Sequence, residues 1–161
     1  MTPTPLPAPF RLLFVCTGNI CRSPLAMAIT RRLAAERRLA GLVVDSAGLS
    51  EGGHPASFEA EQVAAERGLN LTTHLSRVAT AGLVADYDLV LTMETGQIVP
   101  LAGKAKRIDT VGRFAGDELI EVPDPYGQPI ATYRALARRL ESMCGRVLDR
   151  LVAEGSLGAK P

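Results

Sequence analysis

The chain has 161 residues, 47% of them hydrophobic and 22% charged, enough for one domain whose core needs no disulfide or metal staple. Eighteen Lys and Arg against seventeen Asp and Glu leave a net charge of +1, which excludes a strongly basic nucleic-acid binder and an acidic tail protein. Three cysteines cannot all pair, and 4% aromatic residues with no Trp offer no stacking platform for bases.

In chain order, residues 1–9 come first, with Pro3, Pro5, Pro7 and Pro9. They predict an extended, disordered arm ahead of a domain over residues 10–155, and residues 156–161 predict a flexible tail. The arm lacks the basic start and apolar stretch of a secretion signal. The apolar run Leu12–Cys16 falls far short of the ~20 residues of a membrane span. With cysteines that cannot all pair, a cytoplasmic protein that engages neither membrane nor nucleic acid is expected.

Arg11–Cys16 predicts a short buried strand, followed by the turn residues Thr17, Gly18 and Asn19. Ser23 and Pro24 predict a helix start, with Ser23 as N-cap and Pro24 as first helical residue. Leu25, Ile29 and Leu33 lie four apart on one face, and Gly41 closes the segment. Leu42–Ser46 predicts a second strand that ends at Ala47-Gly48. Pro55–Arg67 predicts a helix stopped by Gly68. Asp88–Thr92 predicts a third strand and Arg107–Val111 a weaker fourth. Pro123–Gly127 is a loop, rich in residues that cannot continue a helix or a ladder. Tyr133, Leu136, Leu140, Met143, Val147 and Leu151 recur at three- and four-residue steps and predict a long helix over 130–153, with Cys144 in its core face. Strands alternating with helices imply an α/β fold, a parallel sheet flanked by helices on both faces. Ligands bind such sheets at the carboxyl ends of the strands, so the loop after the first strand is where chemistry is expected.

That loop is Cys16-Thr17-Gly18-Asn19-Ile20-Cys21-Arg22-Ser23. A loop rising from a strand into a helix can turn its N–H groups inward as a nest for phosphate oxygens, and the helix start adds its positive dipole end. Arg22 supplies a planar fork for bidentate phosphate contact. Gly18 and Asn19 tolerate the backbone conformations that wrapping demands. A thiol between a helix N-terminus and an arginine is favoured as the thiolate, which makes Cys16 the candidate nucleophile. Ser23 can donate a hydrogen bond to its sulfur. The histidines His54 and His74 show no metal-ligand spacing with a cysteine, so no zinc site is expected.

The run Val15–Ala26 closely resembles the signature of the low-molecular-weight protein tyrosine phosphatases, bacterial-type members included. The likeness extends from Arg11 to about Val152 and takes in Asp45-Ser46-Ala47-Gly48, His74, Leu91-Thr92-Met93-Glu94 and Asp124-Pro125-Tyr126. It implies a single four-stranded parallel sheet, no metal or other cofactor, a phosphorylated protein as substrate, and a monomer. It implies hydrolysis through a phosphocysteine on Cys16, with Arg22 clamping the phosphoryl group and Asp124 as general acid, its loop stiffened by Pro125. Thr17, Gly18, Asn19, Ile20, Cys21 and Ser23 would line the phosphate loop. Ser46 and His74 would hydrogen-bond Asn19 and hold the loop open. In relatives with the Cys16–Cys21 pair, oxidation gives a reversible disulfide that protects the nucleophile.

Ile20, Leu49 and Tyr126 are expected on the substrate wall. Ile20 matches the tyrosine enzymes, whereas the related protein-arginine phosphatases have Thr there. Gly127 after Asp-Pro-Tyr looks more like the arginine branch. Phosphotyrosine is favoured and phosphoarginine is the alternative. A thioredoxin-coupled arsenate reductase would need two further cysteines near the third strand, and none lies between Cys21 and Cys144. An inactive phosphate-binding module would be expected to lack the nucleophile or the acid.

Overall fold

A computed structural model describes residues 1–159 of the chain. Residues 1–9 are exposed and carry no helix or strand. The elements then run β1 Phe10–Cys16, α1 Arg22–Glu36, β2 Leu39–Ala40, β3 Leu42–Gly48, α2 Phe58–Glu66, α3 Ala81–Ala85 and β4 Leu89–Thr92. Two 3₁₀ turns follow at Thr95–Gln97 and Val99–Leu101, then β5 Ile108–Thr110, α4 Val111–Ala115, α5 Ile130–Ala153 and β6 Gly158–Ala159.

Strands β1, β3, β4 and β5 form one parallel sheet in the order β3-β1-β4-β5. The chain leaves β1 toward β3 on one side and returns to β4 on the other. The strand order therefore reverses beside β1, and a crevice opens at the carboxyl ends of β1 and β4. Alternation along β1 sorts its side chains. Leu12, Phe14 and Cys16 join the core with α1, α2, α4 and α5, while Leu13 and Val15 join Ala47, Val84, Tyr87, Val90 and Leu101 on the opposite face. That opposite face is covered by the short α3 and the 3₁₀ turns. The apolar stripe of α5 is buried from Tyr133 to Leu151, and Cys144 sits within it.

Three local expectations are corrected. Helix α1 begins at Arg22 with Cys21 as N-cap, and no side chain caps it. Ser23 lies inside the first turn, where its hydroxyl serves the loop instead. Pro24 is tolerated there because the first N–H groups of a helix have no partner within it. Helix α2 begins at Phe58, later than Pro55, because the Ser57 side chain caps it by accepting from Ala60 N at 3.2 Å; Pro55 instead bridges to Leu75. In the tail, Leu157 is buried and Gly158–Ala159 pairs antiparallel with Leu39–Ala40. An apolar anchor and a small strand pair therefore hold the segment as far as residue 159, and residues 160–161 lie outside the described residues. Among the described residues no helix is long and apolar enough to cross a membrane.

Candidate active site

The loop between β1 and α1 is held open by Asn19, whose φ of +55° is a left-handed conformation that Asn tolerates. Its buried side chain donates from Nδ2 to Ser23 Oγ (2.8 Å) and Ser46 Oγ (2.9 Å), and its Oδ1 accepts from Arg77 N (3.1 Å). Its backbone carbonyl accepts from His74 Nε2 (2.7 Å), which requires the proton on that nitrogen. Gly48 lets β3 approach the loop: a Cβ there would stand 2.9 Å from both Asn19 Cβ and Thr17 O.

Cys16 is buried at the carboxyl end of β1. Its Sγ accepts from Asn19 N at 3.2 Å and lies 3.0 Å from Ser23 Oγ. Ser23 already accepts from Asn19, so its single proton is free for the sulfur, with Ala47 O a more distant alternative at 3.4 Å. Negative charge on Sγ is thus met by an N–H, a hydroxyl and the start of α1.

Arg22 is 2% exposed. Its Nη1 pairs with the Glu94 carboxylate and donates to Val122 O at 2.8 Å. Its Nη2 faces Asp124 Oδ2 at 3.8 Å. One edge of the guanidinium is therefore anchored and the other serves the cavity. Asp124 is half exposed, and its Oδ1 accepts from Tyr126 N at 3.0 Å, a local turn that Pro125 stiffens.

These groups surround one cavity of about 170 Å³. Cys16 and Arg22 form its floor, Thr17, Gly18, Ile20 and Cys21 its walls, and Asp124 and Tyr126 its exposed rim. A buried sulfur under an anion cradle, facing a carboxyl at the mouth, is equipped for phosphoryl transfer to sulfur and protonation of a leaving group.

Residues 11–157 match the family model described as low molecular weight phosphotyrosine protein phosphatase. The chain belongs to this family. It is 40% identical over 118 residues to the low molecular weight protein-tyrosine-phosphatase Etp of Escherichia coli, covering 71% of this chain and 76% of Etp. It is 36% identical over 152 residues to a protein-arginine-phosphatase of Geobacillus stearothermophilus, covering 91% of this chain and 99% of that one. The solved structure of Vibrio vulnificus Wzb in complex with benzylphosphonate superposes with a TM-score of 0.77 at 28% identity, over 88% of this chain and 99% of Wzb. Low-molecular-weight phosphatases are cysteine-dependent hydrolases that work through a phosphocysteine.

Leu49, expected on the substrate wall, does not line this phosphatase's cavity. Its side chain packs against the apolar cluster on the far face of the sheet, which includes Leu13, Val15 and Ala47, while its N–H donates to Cys16 O (3.2 Å) and Thr17 O (2.9 Å). Leu49 follows β3, and the sheet's alternation turns its side chain away from the cavity. Cys21 does line the wall. Its thiol donates to Ser57 Oγ (3.2 Å) and lies 3.4 Å from Tyr133 OH, and burial raises its pKa above the usual thiol value. Burial pushes Cys144 up to about 12. All three cysteines are unpaired. Among the described residues no three His, Cys, Asp or Glu side chains converge as a metal set.

Sequence reasoning missed a buried clamp behind the loop. Gln97 Oε1 accepts from Met93 N and Glu94 N, both at 3.0 Å, and its Nε2 donates to Thr17 Oγ1 at 3.0 Å. It thereby ties the turn bearing Glu94, the partner of Arg22, to the phosphate loop. The only local signal was Glu94-x-x-Gln97, a capping-box spacing that marks a turn but not its partner.

Proposed function

We propose that this phosphatase removes phosphate from phosphotyrosine on cytoplasmic proteins, working as a monomer with no metal or other cofactor. The observation that carries the reading is the cavity with Cys16 and Arg22 at its floor and Ile20, Asp124 and Tyr126 above them. The Cys16 thiolate attacks phosphorus in line with the departing phenolic oxygen. An S–P bond forms as the P–O bond breaks. Asp124 gives its proton to the leaving oxygen, and Arg22 with the loop N–H groups stabilises the equatorial oxygens. In the second step Asp124 takes a proton from water, whose oxygen attacks phosphorus and releases phosphate. The Ser23 hydroxyl stabilises the departing thiolate.

Ile20 supports an aromatic substrate: a bulky apolar wall suits a phenyl ring and crowds a guanidinium. Phosphoarginine is the second reading, favoured by Gly127 after Asp124-Pro125-Tyr126 and by the arginine-phosphatase relative. Initial rates on matched phosphotyrosine and phosphoarginine peptides test the choice. Phosphotyrosine is expected to lead by at least about tenfold, and Ile20→Thr to narrow the ratio; the opposite preference overturns the assignment. Cys16→Ser should abolish both activities. Asp124→Ala should cost about 10²- to 10⁴-fold in turnover.

A further inference from the structure

A second groove, about 440 Å³ in volume, opens beside the catalytic cavity and shares two of its walls, Gly18 and Ile20. Its other walls are Ser50, Glu51 and His54. We infer that this groove is a subsite for a residue flanking the phosphorylated one, and that it takes a basic side chain. The inference rests on the phosphatase reading of the neighbouring cavity.

The groove is built in advance. Ser50 donates from both its N–H and its hydroxyl to Thr17 O at 3.0 Å, tying this wall to the phosphate loop. Gly53 N donates to Ser76 O at 2.7 Å, His54 N to Ser76 Oγ at 3.0 Å, and Ser76 N to His54 O at 2.8 Å. Gly52 lies so close to residues 76 and 77 that a Cβ would stand 3.0 Å from Ser76 O. Gly53, at φ +88°, takes the left-handed turn that glycine allows. A peptide would therefore meet a fixed wall and bear little ordering cost there.

Charge decides the occupant. Glu51 is exposed and belongs to none of the ion pairs among the described residues. Arg77, whose backbone lies against Gly52, sends its guanidinium away to Ser46 O and Tyr87 OH. An unpaired carboxylate beside an anion cavity repels a phosphopeptide with acidic flanks. It attracts one in which a Lys or Arg sits a residue or so from the phosphate. Phosphate over Arg22 and a cation against Glu51 match the substrate in sign at both points.

The test uses phosphotyrosine peptides differing only in Arg, Ala or Glu at the positions adjoining the phosphotyrosine, at a pH above the ordinary titration range of imidazole. Wild type should favour the Arg peptide over the Glu peptide by about tenfold in kcat/KM, mostly through KM. Glu51→Gln should shrink the ratio to within twofold and Glu51→Lys should invert it, while turnover of p-nitrophenyl phosphate stays unchanged. No preference in wild type, or a preference that survives Glu51→Gln, overturns the subsite. Peptide Kd values for the Cys16→Ser protein and its Glu51→Gln derivative, from calorimetry, report on the groove without turnover. Loss of p-nitrophenyl phosphate hydrolysis in wild type would therefore sink the phosphatase reading while the groove is still judged by the Kd ratio.

Discussion

Gln97→Met removes the clamp behind the phosphate loop with little change in volume. Three hydrogen bonds go. Met93 N keeps Val15 O as a partner at 3.1 Å, but Glu94 N loses its acceptor and Thr17 Oγ1 loses its donor. One N–H left without its acceptor costs about 1–3 kcal/mol, and the bond to Thr17 contributes about 1 kcal/mol, so the total is roughly 2–4 kcal/mol. For a chain of this size that lowers Tm by about 5–15 °C. The catalytic effect follows a different route. Glu94 loses its fixed turn and Arg22 its fixed partner, and a displacement of about 1 Å at the phosphate clamp costs on the order of 10²-fold. Inhibition by inorganic phosphate should weaken alongside kcat/KM, because Arg22 and the loop bind the same oxygens. Calorimetry, aryl phosphate kinetics and phosphate inhibition test this together. A variant whose Tm lies within 1 °C of wild type, with kcat/KM within about twofold, would refute the clamp.

Two further outcomes are expected. Gly48→Ala puts a methyl group against Asn19 Cβ and Thr17 O, so stability should fall by about 1–3 kcal/mol and activity by a larger factor than at a glycine with open space such as Gly96; equal effects at both sites would contradict the close approach. At the far end of the fold, hydrogen bonds from Arg107 and then Arg150 hold the Glu154 carboxyl at about 2, below the usual 4.5. A depressed carboxyl stabilises the fold above its ordinary value, and that contribution is lost as pH falls from about 4.5 toward 2. The gap in urea midpoint between wild type and Glu154→Gln should close over that window, and a constant gap would count against the pairing.

Much of the site was legible because it is local. The strand, the turn residues, the candidate nucleophile and the arginine occupy Leu12–Arg22, and short apolar runs such as β1 alternating with helical periods such as the stripe along α5 defined the α/β class. The short α3 and α4 were not legible, since five residues span too little for a helical period, and only their Thr80 and Thr110 caps mark them. Ser23 misled for a related reason. Serine before proline is a good N-cap by local preference, but here its hydroxyl is engaged by Asn19 and Cys16, and the helix starts earlier.

By itself, then, the sequence determined the fold class and singled out the candidate nucleophile and the candidate anion loop, because each rests on short stretches of neighbouring residues. The family resemblance already implied Ser46 and His74 as supports of Asn19, and only the tertiary structure decided the remaining contacts that hold the loop in shape. Ser46, His74, Arg77, Glu94, Gln97 and Val122 come from separate segments and meet Asn19, Thr17 or Arg22 because strand order reverses beside β1. Tertiary structure also turned Leu49 away from the cavity and set Glu51 beside it, because side-chain direction follows from strand register and loop anchoring rather than from residue type.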